Sequence, residues 1–114
     1  MDKFVKDGKV AVLYSPSYGA GWYTWNTEHP QAVFDPEIVK LILTQPSLGR
    51  RERHKPEVIS EIEDIVSRKY VGFYSGGAED LSIKWVPEGE QFEITEYDGF
   101  ESVNIIGECQ YLVA

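Results

Sequence analysis

The sequence predicts a small single α+β domain spanning residues 1–114, in the order β-α-α-β-β-β-β. Its expected form is a mostly antiparallel, bent sheet with two helices packed on one face. Three observations predict it. A continuous apolar run stands near the N-terminus, two segments carry helical spacing in the middle, and the last third alternates apolar and polar residues between turn signals.

The first strand is Val10-Ala11-Val12-Leu13-Tyr14, an unbroken apolar run after Gly8 that suits a strand buried on both faces. Tyr14 to Pro30, YSPSYGAGWYTWNTEHP, then shows no period of either kind. The first helix starts at Asp35-Pro36-Glu37: Asp35 can cap free N–H groups, Pro36 suits the first helical position and Glu37 complements the helix dipole. Phe34 is placed to pack against Val39 across that cap. Ile38, Leu41 and Ile42 form the stripe of a helix expected to reach about Gln45, since Pro46 disfavours helix before it. From Pro56 onward, Val58, Ile59, Ile62, Ile65 and Val66 recur at helical spacing, and Arg68 and Lys69 suit the end of the second helix. Leu81, Ile83 and Trp85 make the next strand and Pro87-Glu88-Gly89 its turn. Phe92 and Ile94 lead to the hairpin signal Asp98-Gly99, Val103 and Ile105 return, and Cys109, Tyr111 and Val113 give a short final strand.

Composition narrows the function. With 114 residues, 42% hydrophobic and 26% charged, the chain is long enough for one core. A net charge of −8 argues against DNA or RNA as partner, because such affinity rests on cations meeting phosphates. The single cysteine, Cys109, makes no intrachain disulfide or redox pair, and a buried place on a strand is its expected role. MDKFVKDGKV has charges where a signal peptide needs an apolar run, and no apolar segment is long enough to span a bilayer, so a cytoplasmic protein is expected.

Four stretches carry candidate chemistry. The aromatic loop holds Tyr18, Gly19, Gly21, Trp22, Tyr23, Trp25 and Asn26. It lacks the third glycine of a dinucleotide fingerprint and the Gly-Lys-Ser/Thr of a P-loop, but flat rings beside polar tips suit stacking on a ring-bearing ligand or anchoring a protein. A ring folded back onto the sheet is the structural alternative. The second stretch, Tyr70 to Asp80, repeats that composition: Gly76 and Gly77 can present N–H groups, while Glu79 and Asp80 can accept from a ribose or an amine. If the strands bearing these two loops are neighbours, both loops lie at one edge of the domain. Third, Arg50, Arg51 and Arg53 lie in a basic connector holding four of the eleven Lys and Arg residues, the best anion site visible. Fourth, nine carboxylates between Glu79 and Glu108 face a single cation, Lys84. Most alternate with apolar residues and are expected on a solvent face, with Glu93, Glu96 and Glu101 as its docking row. His29 and His54 fall in no catalytic or metal-ligand spacing, so no metal and no cofactor is expected.

The runs KVAVLYSPSYGAGWYTWN, FDPEIV, GGAEDLSIKWVPEG and FEITEYDGFESV resemble a family of small uncharacterised proteins of phages and bacterial genomes. The resemblance transfers no catalytic residue. It implies a phage-type accessory protein acting in the host cytosol, of the kind that blocks a host protein or sequesters a signalling nucleotide to counter a host defence. Together with the residues, it leads to the expectation of a non-enzymatic, homo-oligomeric binder of a small nucleotide-like ligand. The alternative is an acidic inhibitor docking on a host protein; an enzyme acting on a small nucleotide ranks third.

Overall fold

The structure, a computed structural model, describes residues 2–16, 21–46 and 53–106. Strands β1 (Val5–Lys6), β2 (Lys9–Tyr14) and β3 (Ser82–Pro87) form one antiparallel sheet in the order β1-β2-β3. Strands β4 (Phe92–Tyr97) and β5 (Phe100–Ile105) form a separate antiparallel hairpin. Helices α1 (Pro36–Leu43) and α2 (Pro56–Lys69) lie between β2 and β3 in the chain, flanked by 3-10 helices at Pro30–Phe34 and Gly76–Asp80. Among the described residues no helix is long and apolar enough to cross a membrane.

The α+β class and the element order agree with the sequence, and one refinement has a clear cause. The expected bent sheet is two sheets, because β2 is covered on both faces. Ala11 and Leu13 point into a core with Ile38, Val39, Val58, Ile62, Ile65 and Val66 of the helices. Val12, on the opposite face, packs with Val33, Val86 and Ile105, with Phe92, Ile94 and Val103 of the hairpin against them. The unbroken run Val10–Leu13 is thus buried throughout, each large side chain contributing about 2 kcal/mol. Phe34 sits with this second cluster, its ring edge-on to Phe92 at 6.0 Å, whereas Val39 belongs to the first.

Both two-residue hairpin turns use Asp-Gly with positive φ at each residue: Asp98 (50°) and Gly99 (87°), and Asp7 (54°) and Gly8 (75°). This matches the handed twist of the strands they join. Helix α1 begins as the Asp35-Pro36-Glu37 signal requires, with Asp35 Oδ1 accepting from Glu37 N (3.0 Å) and Ile38 N (3.1 Å). It ends at Leu43, two residues short of expectation, and Thr44 forms its C-cap. The expected final strand at Cys109, Tyr111 and Val113 lies outside the described residues.

Candidate functional site

Register decides where the functional loops lie. Pairing of β2 with β3 aligns Tyr14 with Ser82, so the segment leaving β2 and the segment entering β3 emerge at the same end of the sheet. The two glycine-aromatic loops meet there through side-chain bonds. Asn26 holds them together: its Nδ2 donates to Trp22 O (2.7 Å) and Tyr74 O (3.0 Å), and its Oδ1 accepts from Tyr74 N (2.7 Å). His29 Nε2 donates to Val71 O at 2.7 Å.

The aromatics separate into two groups. Trp22 is fully buried, donates from Nε1 to Ala32 O at 3.2 Å and meets Phe73 edge-on at 4.7 Å. An indole so enclosed is part of the core. Trp25 and Tyr74, one from each loop, stack on each other at 5.3 Å and 23° while remaining 49% and 53% exposed. Val71, three residues before Tyr74 in the chain, is 91% exposed. Half-exposed stacked rings on a base fixed by Asn26 form a firm apolar platform.

Under that platform lies a group that the expected acidic face did not separate from its neighbours. Glu101 is 2% exposed. Its Oε1 accepts from Ser15 N (2.8 Å), and its Oε2 accepts from Thr24 N (2.8 Å) and Thr24 Oγ1 (2.9 Å). Its own N–H donates to Ser15 O at 2.8 Å. One carboxylate therefore ties the hairpin to the end of β2 and to the aromatic loop. Glu101 is therefore not part of a solvent-facing docking row, contrary to the sequence expectation, because its carboxylate is buried on backbone donors. The signal that finds it is parity: Glu101 shares its strand face with Val103 and Ile105, which pack inward. Glu93 and Glu96 are exposed, as expected.

The other candidates are distributed as follows. Tyr18, Gly19, Arg50 and Arg51 lie outside the described residues. Tyr23 lines an apolar cleft of about 420 Å³ with Val33, Phe34, Phe92 and Ile94. Asn26, Gly21 and Gly77 are buried, whereas Gly76 is exposed. Arg53 and Glu79 come together, each the other's partner at 2.8 Å. Asp80 is buried, with Oδ1 accepting from Ser15 Oγ at 3.0 Å. His54, at the end of the basic connector, is buried and donates from Nε2 to Leu81 O at 2.7 Å, which fixes that connector to the Gly76–Asp80 turn.

Gly21 has a steric role. A Cβ there would lie 2.3 Å from Thr24 Oγ1 and 3.0 Å from both Glu101 Oε2 and the Trp25 ring. Gly21→Ala is therefore expected to cost about 1–3 kcal/mol, as an overpacked site does. Chemical denaturation is the check, and an unchanged midpoint would show that the loop yields freely.

Fold and site together define the class: a small α+β domain presenting a composite aromatic loop end. Comparison with protein-family models, curated proteins and solved structures returned no match.

Proposed function

We propose that this protein is a non-enzymatic binding module that docks on a basic partner protein, with Trp25 and Tyr74 as its anchors. The observation that carries this reading is the stacked, half-exposed ring pair built from both glycine-aromatic loops. Stacking and the Asn26 clamp hold the rings in place before any partner arrives, which lowers the ordering cost of binding. The net charge of −8 and the exposed acids Glu88, Glu90, Glu93, Glu96 and Asp98 favour encounter with a cationic surface. With the phage resemblance, the role that follows is inhibition of a host protein in the cytosol.

A second reading, capture of a small nucleotide-like ligand by a homo-oligomer, draws on the same ring pair, since a planar base can extend the stack. It is the weaker of the two. Gly21 and Gly77 are buried, Asn26 is committed to the loop clamp, and Arg53 is paired with Glu79.

The test compares the wild type with a Trp25→Ala, Tyr74→Ala double variant, each immobilised and exposed to bacterial extract at low and high salt. The double variant is expected to keep its melting temperature within a few degrees, because exposed side chains contribute little to the core. It should lose the captured protein, and the wild type should release most of it at about 0.5 M salt. Capture that is indifferent both to the two rings and to salt would overturn the proposal. Mass spectrometry of small molecules released from the purified protein decides the second reading: a bound nucleotide lost in the double variant supports it.

A further inference from the structure

The hairpin leaves one strand edge open. Among the described residues β4 pairs with β5 alone. The bond from Ile106 N to Gln91 O (2.9 Å) fixes which backbone groups face which way. Antiparallel pairing alternates by two residues, so Glu93, Thr95 and Tyr97 direct their N–H and C=O groups to β5. The same parity turns the Glu101 backbone away from β4, and its N–H meets Ser15 O. On the outer side of β4, the N–H and C=O groups of Phe92, Ile94 and Glu96 meet no strand among the described residues. The other edges are guarded: β1 pairs through two residues only, and β3 carries Lys84 and Pro87. β4 has six residues, with neither a proline nor a bulge. The apolar cleft of about 420 Å³ is lined by Phe92, Glu93 and Ile94, with Tyr23, Val33 and Phe34 opposite, and by no residue of β5. It therefore runs along the open edge.

We propose that this edge binds an extended, basic segment of a partner protein by strand addition. The main chain of the segment pairs with Phe92, Ile94 and Glu96, and its apolar residues, at alternate positions, fill the cleft. The Lys or Arg residues between them lie beside Glu93 on the exposed face. Charge selects this occupant. Glu88, Glu90, Glu93, Glu96 and Asp98 are exposed, and no Lys, Arg or His stands between Trp85 and Ala114. A second copy of β4 would bring Glu93 and Glu96 against their own kind, and the chain's own segment 107–114 offers Glu108 and no cation. Lys3 Nζ, 4.8 Å over the Phe34 ring, shows that the aromatic wall of the cleft accepts a cation. The site uses neither Trp25 nor Tyr74, so it stands whether or not the ring pair docks a protein.

The experiment titrates a fluorescein-labelled synthetic peptide of alternating Lys and Ile into the full chain at low salt. Replacing its Lys by Glu should weaken binding more than about ten-fold, and Glu93→Lys in the protein should weaken it about five-fold. Methylating the peptide nitrogens of one parity should abolish binding and methylating the other should leave it, since an added strand meets β4 through one edge. Amide exchange followed by NMR should slow at Phe92, Ile94 and Glu96 when the peptide binds. Binding should persist in the Trp25→Ala, Tyr74→Ala variant. No binding, equal binding of the acidic peptide, or loss in that double variant would overturn the edge site. So would amides of Phe92, Ile94 and Glu96 already protected in the free protein. Protection that fades on dilution then assigns the edge to a second copy, and protection that does not fade assigns it to the chain's own segment 107–114.

Discussion

Glu101→Ala is expected to destabilise the fold by about 3 kcal/mol, lowering the melting temperature by more than about 10 °C. The variant leaves the N–H of Ser15 and the N–H and hydroxyl of Thr24 without their acceptor. A buried donor left unmade costs about 1–3 kcal/mol. Glu101→Gln keeps the shape and still costs about 2 kcal/mol, since its amide can turn an oxygen toward Ser15 or toward Thr24, never both. Glu93→Gln, on an exposed position of the same hairpin, should stay within about 0.5 kcal/mol. Urea midpoints of the three variants make the comparison, and equal midpoints would contradict the buried role of Glu101. Charge reversal at Glu101 would therefore report on folding, so tests of the acidic surface should use Glu93 and Glu96.

That contrast shows what the sequence makes legible. Helix α2 is readable at both ends, because Pro56 opens a clean 3.6-residue stripe that closes at Arg68-Lys69. The start of α1 is equally plain, since its capping signals are local. The β1–β2 hairpin carries the same Asp-Gly signal as β4–β5, but only two residues of β1 pair, too few to show alternation. The loop end is half legible. Composition marks the two glycine-aromatic loops, and the adjacency of β2 and β3 brings them together. Which indole turns inward is a tertiary matter: Trp22 and Trp25 stand three residues apart in similar company, and Phe73 and Ala32 select Trp22. Division of the sheet is tertiary as well, for it depends on the hairpin covering the second face of β2.

Above pH 10 the fold should lose stability steeply, through the junction that Asp35 makes between the two helices. Asp35 is 2% exposed. Beyond capping α1, it accepts from Lys69 Nζ at 3.2 Å and from Tyr70 Oη at 2.5 Å, both at the end of α2. Burial, and then the hydrogen bond to Asp35, push the Tyr70 phenol well above its ordinary value. Burial alone would lower Lys69, but hydrogen bonds to Glu37 and Asp35 outweigh it and the ammonium is raised. For a group raised in the folded state, the stabilisation is complete below its unfolded pKa, about 10 for Tyr and about 10.4 for Lys, and is lost as pH climbs toward the folded value. Melting temperature should therefore change little between about pH 7 and 9.5 and fall above 10. Each proton held more tightly by the folded state steepens the loss by up to about 1.4 kcal/mol per pH unit. Tyr70 dominates, since Lys69 is 34% exposed and solvent screens its share. Tyr70→Phe should flatten the alkaline slope, although its stability at pH 7 falls with the lost hydrogen bond. Asp35→Ala should cost about 3–4 kcal/mol at neutral pH, because it removes the cap and leaves the buried hydroxyl of Tyr70 without its acceptor. A Tyr70→Phe variant as alkali-sensitive as the wild type would show that the junction does not govern this limb.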